Sequence, residues 1–200
     1  MRYILKPACH WLQCAFLMGL FATPALAQTI EIVETGGSTA YQWDATTGEI
    51  TAGNGVDTIA IDAAEVVDKL QTEDVTVRAE RITIDADIVS TTAQRLTLKT
   101  TQTLSVNADQ RIQTNGGDLV FWTNPTASNS ISGHIRLNAG VALNTTNGST
   151  DSGLSGGGAI ILAGGDDADN NNLPDGFAKT NSTYGIELDS GVKLHSGGGD

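Results

Sequence analysis

After Thr72 the chain falls into alternation. In VTVRAERITIDADIVS and QRLTLKTTQTLSVNADQRIQT short runs such as VTVRA, ITIDADI, LTL and LSV place apolar side chains at alternate positions, the period of a strand with one buried face. Short apolar-x-apolar pairs mark the predicted strands: Ile82/Ile84, Leu96/Leu98, Leu104/Val106, Ile135/Leu137, Val141/Leu143, Ile186/Leu188 and Val192/Leu194. Two phrases nearly duplicate each other, HIRLNAGVALNT from His134 and GIELDSGVKLHS from Gly185. Successive pairs begin at Ile82, Leu96, Leu119, Ile135, Ile160 and Ile186, in steps of 14, 23, 16, 25 and 26 residues.

Before Thr72 the pattern differs. QTIEIVETGGSTAYQWDATTGEITAG holds short β-type runs broken at Gly36-Gly37 and Gly48. Ala63, Val66, Val67 and Leu70 then fall at the i, i+3, i+4, i+7 spacing of one helical face. Asp62 stands three residues before Glu65, the spacing of a capping box. This predicts one short helix at about 63–70.

Self-similarity at about 20 to 25 residues is the signature of a solenoid. One coil buries about four to six apolar side chains, at about 1.5–3 kcal/mol each, yet must order about twenty residues at about 1–2 kcal/mol each. A coil therefore needs neighbours to bury its faces and pair its edges. The expected fold is all-β, a right-handed parallel β-helix over 73–200 that continues beyond the given chain. A β-rich cap with the short helix occupies 28–72. An antiparallel sandwich or barrel also has many short strands, but would place two-residue Asn-Gly hairpins between long strands. Asn115-Gly116 and Asn147-Gly148 sit instead in longer polar stretches.

The first 27 residues stand apart. Arg2 and Lys6 open a basic start, Trp11 to Phe21 are mostly apolar, and Pro24 precedes Ala25-Leu26-Ala27. That is the anatomy of a secretory signal peptide cleaved near Ala27. The apolar run is shorter than the roughly 20 residues a membrane span takes. Cleavage removes Cys9 and Cys14, so the mature chain, 28–200, has no cysteine although export would permit disulfides. It leaves 9 Lys and Arg against 23 Asp and Glu, a net charge of −14. Such acidity argues against nucleic acid, whose affinity rests on Lys and Arg at phosphates, and against anionic lipid surfaces. Aromatics are 5% of the chain, so it has little material for a deep apolar pocket.

Candidate chemistry concentrates in GGGAIILAGGDDADNNNLPDG, from Gly156 to Gly176. A P-loop needs a Lys and a Ser or Thr after its last glycine, and a dinucleotide loop leads into a helix. Here the glycines lead into AIILA, itself a predicted strand, so they read as a corner where backbones approach closely. The tail places Asp167, Asp169, Asn171 and Asp175 at loop positions 1, 3, 5 and 9, the alternation by which oxygen ligands wrap Ca²⁺. Position 6 holds Asn172 where glycine is usual, and Asn tolerates the left-handed region. Position 12 has no Glu, with Lys179 just beyond, and no EF-hand helices flank the loop. Ca²⁺ is the sharper of two readings. The plainer one, which the sequence favours, is a solvated Asx-rich insertion.

Catalytic signals are thin. His134 and His195 are the mature histidines, and both fall at predicted strand edges. Asp85, Asp87 and Asp109 have the residue types of a β-helical polysaccharide-active enzyme, but nothing in the sequence brings them together. A carbohydrate-binding module needs a line of exposed aromatics, for which the alternating region offers Phe121, Trp122 and Tyr184. Sequons at Asn144, Asn147 and Asn181 arise readily in a Thr/Asn-rich chain and carry no claim.

LQTEDVTVRAERITIDADI resembles the entry to the repeat region of filamentous-haemagglutinin-like bacterial exoproteins. GHIRLNAGVALNT, SGGGAIILAGG and GIELDSGVKLHSGGGD are similar to their Gly-rich rungs. The resemblance covers roughly 60–200 and specifies fold better than function. It implies a secreted or surface-attached structural or adhesive protein, non-catalytic in this region: an adhesin, biofilm component or stalk. Its partners would be a host or neighbouring-cell surface, matrix polysaccharide or glycoprotein, with no nucleic acid and no membrane span in the mature chain. A β-helical polysaccharide-active enzyme and a calcium-stabilised carbohydrate-binding module are the alternatives.

Overall fold

A computed structural model of the chain describes residues 29–38, 40–53, 56–125, 133–147, 157–178 and 185–197. The signal peptide expected at 1–27, with cleavage near Ala27, lies outside the described residues. So do Gly156, Gly198 and Gly199 of the glycine clusters, Tyr184, Lys179 and the sequon Asn181.

Among the described residues fourteen strands and one helix form, nearly all where alternation or helical spacing places them. Four strands open the fold, β1 (Thr29–Val33), β2 (Tyr41–Asp44), β3 (Glu49–Ala52) and β4 (Thr58–Asp62), and α1 (Ala63–Leu70) follows. Next come β5 (Val75–Asp85), β6 (Ile88–Val89), β7 (Leu96–Val106), β8 (Arg111–Gln113) and β9 (Leu119–Thr123). The last are β10 (His134–Leu137), β11 (Ala142–Asn144), β12 (Ile160–Gly164), β13 (Ile186–Leu188) and β14 (Lys193–His195). A large sheet holds ten strands, and a small one holds β6, β8, β11 and β14.

The right-handed parallel β-helix expected from the spacing is not what forms. The ten-stranded sheet is mixed and branched: β2 and β3 pair antiparallel, Tyr41 opposite Ala52 and Asp44 opposite Glu49, and β3 then joins β5. The cause is the length of the connection. Only Ala45 to Gly48 separate the two strands, and a turn that short can join only antiparallel neighbours. Asp44 Oδ1 accepts from the Thr46 N–H at 2.8 Å, and Gly48 takes φ +65°, a conformation that costs glycine little. A second antiparallel contact, the bridge between Gly164 and Gly176, closes the Asp/Asn loop.

Elsewhere pairing is parallel and brings like side chains over one another. Ile59, Ile30, Ile82, Leu104, Ile135 and Ile186 align across β4, β1, β5, β7, β10 and β13. Ile61, Ile32, Ile84, Val106, Leu137 and Leu188 form the next ladder on the same strands. Ile50, Val77, Leu98, Phe121 and Leu162 align across β3, β5, β7, β9 and β12. In the small sheet Ile88, Ile112, Leu143 and Leu194 do the same. These ladders are the core, and most of their members are fully buried. The duplicated phrase pairs with itself, β10 on β13 and β11 on β14, and its two glycines, Gly140 and Gly191, turn with φ +76° and +77°.

The helix spans Ala63–Leu70 with Ala63, Val66 and Leu70 buried. The predicted capping box does not form. Asp62 occupies the N-cap but makes no side-chain cap bond. Its Oδ1 accepts instead from the Gly37 N–H at 2.6 Å, and Glu65 Oε2 accepts from the Tyr41 hydroxyl at 2.8 Å. Tertiary donors outcompete the local cap because both carboxylates face neighbouring chain rather than water. No helix among the described residues is long and apolar enough to cross a membrane.

Candidate functional site

The Asp/Asn loop stands on two parallel rows of the large sheet. On the outward face Thr51, Arg78, Lys99, Trp122 and Ala163 are register neighbours across β3, β5, β7, β9 and β12. Glu49, Thr76, Thr97, Val120 and Ile161 form the next outward row. Outward residues of a one-sided sheet meet water, yet Trp122 is only 2% exposed and Val120 is fully buried. For Trp122 the loop accounts for this. It leaves β12 at Gly165, whose carbonyl accepts from Trp122 Nε1 at 2.6 Å, and it returns through the Gly164–Gly176 bridge. Asn172 of the loop and Trp122 of β9 line one small cleft.

Within the loop the carboxylates converge. Asp167, Asp169 and Asp175 each offer an oxygen within 4.8 Å of the others. Backbone donors hold them there. Asp167 accepts from the N–H groups of Asn171 and Asn172, both at 2.9 Å, and Asp175 accepts from those of Ala168 at 2.7 Å and Asp169 at 3.3 Å. Asn170 and Asn172 take φ +59° and +62°, so position 6 adopts the left-handed turn that Asn tolerates. Asn171 donates Nδ2 to Asp169 Oδ2 at 3.0 Å, and its Oδ1 accepts from the Leu173 N–H at 2.8 Å. Three hard oxygen donors on a tight loop are chemically suited to Ca²⁺.

The cleft beneath the loop, about 190 Å³, is lined by Thr47, Asp74, Thr76, Arg95, Thr97, Lys99, Trp122 and Asn172. Lys99 Nζ lies 3.6 Å from the centre of the Trp122 ring. Burial pushes the Lys99 ammonium below the usual lysine range, and the neighbouring Arg78 charge adds to this, while Glu49 and Asp167 oppose it. Arg78 pairs with Glu49 at 3.5 Å and Arg95 with Asp118 at 3.3 Å.

The remaining candidates scatter. Asp85 and Asp87 border a second groove with Glu34 and Arg111. Asp85 accepts from Asn107 and Asp87 from the Arg111 N–H. Asp109 sits at the Gly140 corner, where its carboxylate lies against that glycine. His134 Nε2 lies 3.5 Å from Glu187, and His195 is exposed at the end of β14. Phe121 and Trp122 are buried and offer no stacking surface, whereas Phe177, which the pattern did not single out, is 91% exposed. The glycines after Gly156 do form a corner of close approach. A Cβ on Gly157 would stand 2.0 Å from Gly197, and one on Gly158 would stand 2.3 Å from Gly117.

No family model, no curated protein and no solved structure matches the chain.

Proposed function

We propose that the chain is a secreted or surface-attached structural and adhesive protein, non-catalytic over this region, that acts by laying β-strand layers on one another. One observation carries the reading. Among the described residues three of the four core ladders run through Ile186, Leu188 and Leu194, apolar side chains that are 39%, 47% and 45% exposed, on strands β13 and β14 that each have one described neighbour. Exposed backbone donors and acceptors beside an apolar row form a template for another strand. A second copy of the chain is the occupant proposed. The resemblance to filamentous-haemagglutinin-like exoproteins and the signal-like N-terminus support surface display, with matrix polysaccharide or glycoprotein on a neighbouring cell as the adhesive partner.

Replacing all three side chains, as Ile186→Glu, Leu188→Glu and Leu194→Glu together, tests this. In sedimentation velocity the wild-type chain should associate as its concentration rises. The triple variant should stay monomeric with an unchanged circular dichroism spectrum. A wild type that remains monomeric, or a variant that associates equally well, overturns the proposal.

A second reading is favoured by the converging carboxylates of Asp167, Asp169 and Asp175. They, with Asn171, would hold one Ca²⁺ and so order the loop over β9, as in a calcium-stabilised carbohydrate-binding module.

A further inference from the structure

Lys99 is in an unusual position for a cation in a chain of net charge −12. It is half-buried in the lining of the cleft, against the face of a buried Trp122. Among the described residues it forms no ion pair, whereas Arg78, Arg95, Arg111 and Arg136 each do. Its register neighbour on β5 is Arg78, and like charges directly opposite each other on parallel rows are destabilising. A partly desolvated ammonium is stabilised by a close anion. Glu49 and Asp167 favour the Lys99 ammonium through space, but neither pairs with it, and the carboxylates around the cleft are bonded to other groups. Glu49 pairs with Arg78, and Asp74 accepts from the Arg95 N–H at 2.8 Å. Asp118 is shared by Arg95 and the Ala159 N–H, and Asp167 is bound within its loop.

The cleft opens onto Lys99 and Arg95 with the hydroxyl-bearing Thr76 and Thr97 beside them. Those are groups that recognise a compact oxyanion: the Lys99 ammonium supplies charge, the hydroxyls complete the hydrogen bonds, and Arg95, whose guanidinium already holds Asp118, adds positive charge beside them. A cleft of about 190 Å³ admits a single charged group or one small ring, not a long chain. We propose that this cleft is an oxyanion-binding site that takes the carboxylate of a sugar acid or a free inorganic oxyanion, with Lys99 as the central contact. This is separate from strand stacking at β13 and β14 and stands or falls without it.

Fluorescence titration of the full chain tests it, because Lys99 lies on the Trp122 ring and its engagement changes that ring's surroundings. D-Glucuronate, inorganic sulfate and neutral D-glucose serve as probes at constant ionic strength. A saturable change is expected with glucuronate and none with glucose. Saturation with sulfate as well identifies a general oxyanion site, and saturation with glucuronate alone identifies a sugar-acid site. Lys99→Met should weaken binding at least about tenfold, the loss of about 1.4 kcal/mol of charged contact. Lys99→Arg should keep most of the binding, which mere loss of packing would not allow. Lys69→Met, at the comparable contact with Trp43, should leave the titration unchanged. Should both Lys99 variants misfold, the wild type decides by itself, since binding must weaken as sodium chloride rises. The site is refuted by the absence of saturation with either anion, by equal binding of glucose, by Lys99→Met binding as wild type does, or by salt-independent affinity.

Discussion

Phe121→Ala is expected to lower the stability of the chain by about 3–5 kcal/mol, the range for deleting a buried aromatic side chain. Phe121 is fully buried on the inward face of β9, with Leu98 on one side of its ladder and Leu162 on the other. The neighbours cannot close the gap easily. Leu98 is held on β7 by its pairing with Val77 of β5, and β9 is buried on its outward face too, through Val120 and Trp122. The truncated site would therefore keep a cavity rather than collapse. Urea unfolding followed by circular dichroism measures the change as a shift in midpoint at unchanged slope. Phe177→Ala is the matched control: that ring is 91% exposed, and its loss should stay within about 0.5 kcal/mol. If Phe121→Ala unfolds within about 1 kcal/mol of wild type, the ladders are not the packed core described above.

The contrast between these phenylalanines also shows what the sequence reveals. Alternation places nearly every strand, because one buried face forces period two, and helical spacing places α1. The duplicated phrase foretells its own pairing, since β10 and β11 lie directly against β13 and β14. Alternation is silent about which strand lies beside which. The antiparallel hairpin of β2 and β3 depends on the short turn from Ala45 to Gly48, and its effect is to make the large sheet mixed. The Asp62–Glu65 spacing signals a cap, yet both carboxylates serve distant donors, Gly37 and Tyr41, which no local pattern contains. The covering of β9 had a weak signal. LVFWT is a continuous apolar run rather than an alternating one, the mark of a strand buried on both faces. That the cover is the Asp/Asn loop, and that Lys99 lies beneath it, follows only from register across β5, β7 and β9.

Calcium at about ten to one hundred times its dissociation constant is expected to stabilise the chain by about 1.4–2.7 kcal/mol relative to chelated protein. About 10 mM calcium reaches that ratio for the affinities of about 10⁻⁴–10⁻³ M typical of extracellular modules. The argument is electrostatic. Three carboxylates held within 4.8 Å of one another repel, and the backbone N–H groups that hold them offset only part of that repulsion. A divalent cation turns the repulsion into coordination and fixes the loop over Trp122. Magnesium should be a poor substitute, because it demands a tight octahedral shell and sheds water reluctantly. Isothermal calorimetry should give one site, and melting temperature should rise with calcium but not with equal magnesium. Asp169→Ala removes one ligand and two contacts to Asn171. It should abolish the calcium response, while its melting temperature in chelator stays close to that of wild type, since the loop without metal is already the weakly held state. No heat on titration, or an Asp169→Ala chain that melts with the same calcium dependence as wild type, would leave the loop as a polar cover for β9 with no cation in its function.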